Sequence, residues 1–347
     1  MFRIGGVSYL NSRPLTLPLQ ERFVFRPLSP ESGPRDFRRK PLPPESGIVG
    51  DEDVGNENGD VGNEEKKGGR KGNAEKWDGS AEAEIDLHIG RAERVLYCNA
   101  VPSRLAELLE AGELDCSLLS SIEAFRLPGA KILSDAAIAA EGPVRSVRLF
   151  GRVPFSDVRR IALDAGSRTS VVLTQILMKR RLGRPVEYVS FPLDTPMEMV
   201  DADACLSIGD RGMRPAEPPW NVWTLDLAGE WKRMTGLPFV FAVWIAHPGI
   251  TRSEKGETRV DLSRLARCLS EARDEGVRRL EEIAASEGPK VGITASDALD
   301  YFRYALRFRL GVREIAGLTM FARLAAEDGL IDTPEPMSFV MDSPDKL

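Results

Sequence analysis

A short apolar run that leads through a polar turn into a helix start opens the chain, and it constrains the fold more than any other stretch. Arg3–Val7 predicts a buried strand that carries glycines, and Ser8–Ser12 follows with side chains able to form hydrogen bonds. Pro14 suits the first turn of a helix. Ligands of open α/β sheets bind at the carboxyl ends of strands, so this turn is a candidate binding loop. The alternative is that Ser and Asn here only cap the helix.

Polar turns also follow later predicted strands. Ser120–Glu123 and Gly166–Ser170 each come directly after an apolar run, and Gly209–Asp210 follows another. The Gly166–Ser170 turn offers hydroxyls, a guanidinium and the start of a helix, which together could hold a carboxylate or a phosphate. The alternatives are N-capping alone for this turn and a plain turn for Gly209–Asp210.

Short strands that alternate with helices favour mainly parallel sheets. We therefore predict an α/β fold of two lobes with the ligand between them and a helical C-terminal region. Lobe 1 comprises residues 1–22, 95–150 and 237–347, and lobe 2 comprises residues 151–236. Leu237–Ala246 shows no alternation of apolar and polar residues, which predicts a strand that is buried on both faces.

The spacing of apolar residues predicts several further elements. Lys131–Leu133 and Ala136–Ala140 are predicted as two short strands, Leu262–Ala284 as one long helix and Leu299–Leu310 as another helix. These boundaries follow from the local pattern alone and ignore contacts between distant parts of the chain.

Residues 23–94 interrupt the alternation of strands and helices. Proline-rich pieces are followed by a stretch of glycine, acidic residues and asparagine, and then by a lysine-rich patch. Such a composition offers few apolar side chains to offset the entropy of ordering the chain. We therefore predict a disordered insertion within lobe 1, between the first helix and the second strand.

Composition limits the class of partner. The chain carries 53 acidic and 47 basic residues, and the net charge of -6 argues against a nucleic-acid binder with a basic face. No run approaches the ~20 apolar residues of a membrane helix, and the first residues lack the long apolar segment of a signal peptide. The expectation is a cytoplasmic protein that binds neither nucleic acid nor membrane.

The chain lacks the residues that several catalytic mechanisms require. The chain has only two histidines, and a His-based relay would have to use one of them. No HExxH, CxxC, GxxxxGK[ST] or dinucleotide-binding glycine pattern occurs, so neither a metal nor a nucleotide cofactor is predicted. The cysteines lie far apart and are interpreted as buried apolar residues; they are Cys98, Cys116, Cys205 and Cys268.

Six motifs occur in order along the chain: VSYLNSRPL, VPSRLAELLEAGELDCSLLSSIEAFR, GPVRSVRLF, LDAGSRTSVVL, SIGDRGM and EWKRMTGLPFVFAVW. Together they resemble the chorismate dehydratase family, the first enzyme of the futalosine route to menaquinone. The resemblance runs from Phe2 to about Phe23 and from about Val95 to Ile331. It implies a periplasmic-binding-protein-like (type II) fold and a cytoplasmic enzyme without a cofactor. The implied reaction is the loss of water from chorismate, which gives 3-[(1-carboxyvinyl)oxy]benzoate.

The resemblance also suggests roles for the polar turns. Asn11 is the predicted catalytic residue, which orients the departing hydroxyl or the enolpyruvyl group, and Ser121 is predicted to assist as a hydrogen-bond partner. The other residues that we expect to contact the substrate are Ser8, Tyr9, Ser12, Ser120, Ser146, Ser167, Arg168, Thr169, Ser170, Gly209 and Asp210. The base that removes the ring proton is left open between Glu123, Asp210 and the substrate's own carboxylate.

Two other functions share this fold. One is the enzyme of the same route that makes 1,4-dihydroxy-6-naphthoate, and the SYLNSRPL turn and the lack of a well-placed histidine argue against it. The other is a solute-binding protein that holds a small carboxylate without turnover, and the missing signal peptide argues against it. The sequence leaves the oligomeric state open.

Overall fold

The computed structural model describes residues 2–22, 24–25, 95–192, 195–213, 217–251 and 262–341. The predicted insertion of residues 23–94 lies outside the described residues, apart from a short strand at Val24–Phe25. In chain order the strands are β1 (Phe2–Val7), β2 (Val24–Phe25), β3 (Val95–Ala100), β4 (Cys116–Ser120), β5 (Lys131–Ala140), β6 (Arg148–Gly151), β7 (Arg160–Asp164), β8 (Glu187–Phe191), β9 (Ala204–Ser207), β10 (Trp223–Asp226), β11 (Phe239–Ala246), β12 (Arg307–Arg309) and β13 (Ser338–Val340).

The α-helices lie between these strands and towards the C-terminal part of the described chain. In order they are α1 (Arg13–Arg22), α2 (Pro102–Glu110), α3 (Glu123–Arg126), α4 (Thr169–Leu182), α5 (Gly209–Gly212), α6 (Leu227–Thr235), α7 (Leu262–Arg278), α8 (Leu280–Glu287), α9 (Ala295–Asp300) and α10 (Val312–Glu327). A π-helix, Tyr301–Ala305, follows α9 directly.

The strands form two sheets. Among the described residues the first sheet has eight strands in the order β12-β5-β11-β4-β1-β3-β2, with β13 beside β5. The second sheet has five, in the order β10-β6-β9-β7-β8. β1 runs parallel to β3 and β4, and β7 runs parallel to β8 and β9. The predicted fold class, a two-lobed α/β fold with parallel strands and C-terminal helices, is confirmed.

The parallel pairings decide where the polar turns lie. The carboxyl ends of parallel strands meet at the same edge of a sheet. The turns after β1 and β4 therefore share one edge of the first sheet, and those after β7 and β9 share one edge of the second. The chain passes between the sheets from β5 to β6 and returns from α6 to β11.

β11 lies at the centre of the core. All of its residues are buried, as its continuous apolar sequence predicts, and it pairs with β4 on one side and β5 on the other. Phe239 of β11 contacts the rings of Trp231 and Phe321 edge to face, with centroids 5.3 and 5.0 Å away. Trp231 belongs to α6, which follows the last strand of the second sheet, and Phe321 belongs to α10. This aromatic cluster therefore packs α6 and α10 against β11 of the first sheet.

Four predicted elements, two strands and two helices, differ in the structure. The two short strands at 131–140 are one strand, β5, in which Ser134 has a φ of +62° and the pairing with β11 shifts register. The long helix predicted for Leu262–Ala284 breaks at Arg279 into α7 and α8. The guanidinium of Arg279 binds Glu21 of α1, a contact 258 residues away that no local pattern contains.

The helix predicted for Leu299–Leu310 is wrong over its second half. The π-helix ends at Ala305, and β12 follows with Phe308 buried between the exposed Arg307 and Arg309. This alternation is the period-two pattern of a strand, which the helical interpretation overlooked.

Candidate functional site

Four polar turns meet between the two sheets, and we call them the inter-sheet site: Ser8–Ser12, Ser120–Glu123, Asp164–Ser170 and Ser207–Arg211. The backbone N–H of Leu10 donates to Oδ1 of Asp210 at 2.8 Å. The backbone N–H of Ile122 donates to Oγ1 of Thr169 at 3.2 Å. The turn after β1 thus faces the turn after β9, and the turn after β4 faces the start of α4.

The turn after β1 contains Asn11, and hydrogen bonds from the side chain of Ser12 stabilise it. The Ser12 hydroxyl is fully buried and lies 2.6 Å from the carbonyl of Val7 and 2.7 Å from that of Tyr9, to which it donates. Ser12 therefore holds the turn, and its side chain does not face the site as predicted. Ser8 is half-buried. Oδ1 of Asn11 is buried and has no hydrogen-bond partner among the described residues.

Tyr9 spans the gap between the two sheets. Its ring lies against Gly209, which has a φ of +58° and where a Cβ atom would come within 3.0 Å of the ring. Its hydroxyl is buried without a partner in the described parts of the chain. Burial raises the pKa of this phenol, and the negative charges of Asp164 and Asp210 raise it further. The phenol therefore stays protonated and can donate a hydrogen bond.

Ser121 connects the two halves of the site. Its fully buried hydroxyl donates to the carbonyl of Val240 at 2.7 Å and lies 3.4 Å from Oγ1 of Thr169. Its neighbour Ser120 is also buried, at the end of β4. The predicted catalytic contribution of Ser121 remains a prediction. Because the hydrogen of its hydroxyl is donated to Val240, the oxygen is left to accept a hydrogen bond.

The turn before α4 uses several of its own backbone amides. Oδ1 of Asp164 accepts from the N–H of Gly166 at 2.9 Å, and the carbonyl of Asp164 accepts from the N–H of Ser167 at 3.2 Å. Oγ of Ser167 accepts from the N–H of Ser170 at 3.1 Å. The N-cap residue of α4, Arg168, makes no capping bond with its side chain, but the bonds of Asp164 and Ser167 take part of the amide set that was expected to hold an anion.

The guanidinium of Arg168 lies at the mouth of this turn. It is partly exposed and pairs with Oε2 of Glu123 at 3.3 Å, while Arg126 lies 3.5 Å from the other oxygen. Burial raises the pKa of Glu123, and the positive charges of Arg168 and Arg126 oppose this rise. A cation from the second sheet and an anion from the first are thus paired across the site.

Sequence reasoning missed polar residues at the ends of β7 and β9. Arg211 donates to the fully buried Asp164 at 2.6 Å, and its guanidinium stacks over the ring of Phe191. Burial raises the pKa of Asp164, and the Gly166 N–H and Arg211 oppose this rise. The hydroxyl of Ser207 is buried and has no partner among the described residues. These residues directly flank the predicted turns, so extending each turn to the last strand residue would have found them.

Tyr301 was missed for a different reason. Its hydroxyl donates to Oγ of Ser146 at 2.7 Å, and both residues are buried. Tyr301 is 155 residues from Ser146 and belongs to no polar turn, so no local signal pointed to it.

The described residues contain no group of three or more His, Cys, Asp or Glu side chains placed to hold a metal ion. In the same parts of the chain, every helix is too short or too polar to cross a membrane. The cysteines are buried free thiols, which confirms their interpretation as apolar residues.

The chain is similar to several known proteins. Residues 85–327 match the family model described as menaquinone biosynthesis. Chorismate dehydratase from Thermus thermophilus is 32% identical over 252 residues, which cover 68% of this chain and 88% of that protein. Protein AF1704 from Archaeoglobus fulgidus has a TM-score of 0.54 at 16% identity and covers 69% of this chain and 88% of its own. The alkanesulfonate-binding protein SsuA from Xanthomonas axonopodis has a TM-score of 0.42 at 15% identity, over 69% of this chain and 84% of its own.

Proposed function

The chain belongs to the menaquinone biosynthesis family, and we propose that it is the enzyme that removes water from chorismate in the futalosine route. The product is 3-[(1-carboxyvinyl)oxy]benzoate, and the reaction makes the enzyme a carbon–oxygen lyase. The observation that carries this proposal is the similarity to the Thermus chorismate dehydratase across most of that enzyme's length.

For this reaction the enzyme mainly has to orient the substrate. A base removes the proton from ring carbon C3, the electrons of that bond form the C3–C4 double bond, and the C4–O bond breaks. The departing oxygen takes up a proton and leaves as water. Because the product ring is aromatic, the driving force is large, and the enzyme must mainly hold the ring so that elimination outruns other reactions.

The inter-sheet site offers groups of the right kind for this substrate. Chorismate carries two carboxylates, and Arg168 together with the start of α4 is suited to hold one of them. The unpartnered carbonyl oxygen of Asn11 can accept a hydrogen bond from the C4 hydroxyl. The unpartnered hydroxyl of Tyr9 can donate to a substrate oxygen. Substrate contacts by the remaining predicted residues, apart from Ser12, are part of the same proposal.

The base is proposed to be the enolpyruvyl carboxylate of the substrate itself. The two acidic candidates at the site are already engaged: Glu123 pairs with Arg168 and Arg126, and Asp210 accepts from the N–H of Leu10. The substrate carboxylate can take the C3 proton and pass it to the departing C4 oxygen. No proton then has to be gained or lost by the protein.

We also propose that the two sheets mark the two lobes, divided as predicted into residues 1–22, 95–150 and 237–347 against residues 151–236. The inter-sheet site then lies in the cleft between the lobes. A cytoplasmic location is proposed on the strength of the biosynthetic family.

The first experiment is to mix the purified protein with chorismate and to follow the products by mass spectrometry. The expected result is the loss of one water and the appearance of the aromatic enol ether. Chorismate that binds and stays unchanged would instead identify a carboxylate-binding protein without turnover. Chorismate that does not bind would favour the 1,4-dihydroxy-6-naphthoate-forming enzyme of the same route.

A further inference from the structure

Two ion pairs lie at the inter-sheet site, and their geometry differs. Arg211 donates to one oxygen of Asp164 at 2.6 Å, and the other oxygen accepts from the N–H of Gly166 at 2.9 Å. Both oxygens of that carboxylate are therefore satisfied. Arg168 donates to Glu123 at 3.3 Å, whereas hydrogen bonds between charged groups usually measure about 2.7–2.9 Å. The pair of Arg168 and Glu123 is thus the looser of the two.

The carboxylate of Glu123 is buried but incompletely hydrogen-bonded. Its Oε1 atom has no hydrogen-bond partner among the described residues, and the guanidinium of Arg126 lies 3.5 Å from it. A buried carboxylate is costly unless it is both paired and hydrogen-bonded. Glu123 therefore has two cations within reach, and it holds neither of them in the geometry of a strong hydrogen bond.

The loose pair joins the two sheets, and its cation is the accessible member. Glu123 begins α3 after β4 of the first sheet, and Arg168 precedes α4 after β7 of the second. The side chain of Arg168 is 27% exposed, against 3% for that of Glu123. A guanidinium offers five N–H donors in a planar fork that fits a carboxylate, so a ligand that enters between the sheets can bind Arg168 better than Glu123 does.

We propose that Glu123 is the resident anion of Arg168 before substrate binds, and that a carboxylate of the substrate takes its place. Arg126, three residues along α3, then keeps the displaced Glu123 paired, so that no buried charge is left alone. A ligand without a carboxylate cannot make this exchange, and Glu123 is therefore a specificity-determining residue. The proposal rests on the proposed function for the identity of the substrate but not for the ion pair.

The first test removes the competing charge. Glu123→Gln keeps the size of the side chain but leaves Arg168 without an anion to give up. The probe is 3-[(1-carboxyvinyl)oxy]benzoate, the product of the proposed reaction, which carries two carboxylates and is not consumed. Its Kd, measured by isothermal titration calorimetry, should fall by about three- to tenfold. A Kd that stays the same or rises in the folded variant would overturn the proposal.

A second variant should have the opposite effect without changing either member of the pair. Arg126→Gln takes away the second cation of Glu123, which then depends on Arg168 alone and is harder to displace. We expect the Kd of the same probe to rise by about three- to tenfold. An unchanged Kd would show that Arg126 does not take over Glu123 and would contradict the proposal.

The chain offers a matched control for this second variant. Glu230 of α6 is also a buried glutamate in the first turn of a helix, and it also pairs with two arginines, Arg181 and Arg233. Arg233 lies three residues after Glu230, as Arg126 does after Glu123, but α6 contributes no residue to the inter-sheet site. Arg233→Gln should therefore leave the Kd of the probe at the wild-type value.

A double-mutant cycle separates an action through Glu123 from a direct attraction between Arg126 and the ligand. In the Glu123→Gln background there is no resident anion, so adding Arg126→Gln should change the Kd by less than about 1.5-fold. If Arg126→Gln weakens binding by the same factor in both backgrounds, Arg126 acts on the ligand directly and the proposal is wrong.

A readout without ligand keeps this test apart from that of the proposed function. Phenylglyoxal modifies accessible arginine side chains, and its reaction with Arg168 can be followed by mass spectrometry of peptides. Glu123→Gln should raise the rate at Arg168 by at least about twofold, whereas Glu230→Gln should not change it. An unchanged rate in Glu123→Gln would overturn the inference. A raised rate in a protein that binds no probe would refute the proposed function and leave the ion pair established.

Discussion

Four polar side-chain atoms in the inter-sheet site are buried without a hydrogen-bond partner among the described residues: Tyr9 Oη, Asn11 Oδ1, Ser207 Oγ and Glu123 Oε1, of which the last lies 3.5 Å from the guanidinium of Arg126. An unsatisfied buried polar atom costs about 1–3 kcal/mol of stability. Proteins keep such costs mainly where function needs the group. At the scale of the residue, these atoms therefore mark the groups that are free to bind a polar ligand.

The identity of the base can be tested at single residues. With the substrate's own carboxylate as base, Glu123→Gln and Asp210→Asn should each keep kcat within about tenfold of the wild type, since a lost general base costs roughly 10²- to 10⁴-fold. Burial raises the pKa of both carboxyl groups. If either of them were the base, kcat/KM would decrease as the pH is lowered through that raised pKa, because the base would then be protonated.

The readout is kcat and the pH profile of kcat/KM for each variant, with far-UV circular dichroism to check the fold. A collapse of kcat in one folded variant, together with the disappearance of an acidic limb from its profile, would identify that residue as the base and contradict the proposal.

At the scale of the element, the turn from β9 into α5 depends on one glycine. Gly209 has a φ of +58°, and a Cβ atom there would meet the ring of Tyr9. Gly209→Ala should strain the backbone by about 1–2 kcal/mol and also displace Tyr9. We expect kcat/KM to fall by roughly 10- to 100-fold, because Tyr9 and Asp210 both move.

Gly183 at the end of α4 is the matched control, because it also has a left-handed conformation, with a φ of +63°, but has open space around it. Gly183→Ala should lower the melting temperature and leave kcat/KM unchanged. Equal losses of activity in the two variants would show that backbone strain, and not the contact with Tyr9, explains the effect.

At the scale of the whole molecule, an ion-pair cluster joins the helices of the two sheets. Asp328, after α10, pairs with Lys179 and Arg180 of α4. Burial raises the pKa of Asp328, but the hydrogen bonds and charges of Lys179 and Arg180 outweigh it and hold the pKa below its usual value. A carboxyl group with a lowered pKa stabilises the fold above its unfolded pKa of about 3.9, and this contribution is lost as the pH falls through the folded pKa.

Asp328→Asn should therefore lower the free energy of unfolding at pH 7 by on the order of 1 kcal/mol, since both cations are partly exposed. The difference from the wild type should shrink in urea titrations carried out at progressively lower pH below about 4. Glu327→Gln, one residue earlier and paired only at 3.7 Å with Arg323, should have little effect. A loss that is the same at all pH values would rule out the ionic explanation.

The predicted insertion can be tested by deletion. β2 runs parallel to β3, and a parallel connection needs roughly a dozen residues or more. Removing Glu31–Ser80 leaves residues 26–30 and 81–94 to make this connection, so we expect wild-type kcat and melting temperature. A deletion that also removes Val24–Phe25 takes away an edge strand and should lower the melting temperature. Lost activity in the first, folded deletion would give the insertion a role in the reaction.

The sequence by itself determined the units of this protein. Each polar turn of the site follows an apolar strand and precedes a helix or turn, and these patterns act between residues close in sequence. The buried strand β11 was predicted on the same grounds, because a run without alternation has no face for solvent. Asn11 and the Gly166–Ser170 turn were therefore within reach of sequence reasoning.

Only the tertiary structure decided how these units meet. The hydrogen bonds Leu10–Asp210 and Ile122–Thr169 join residues 200 and 47 positions apart, and Tyr301 reaches Ser146 over 155 positions. The break at Arg279 and the inward turn of Ser12 likewise depend on which atoms lie nearby in space. Local propensity sets the conformation of neighbouring residues, whereas the partner of a polar side chain is set by how the distant elements pack.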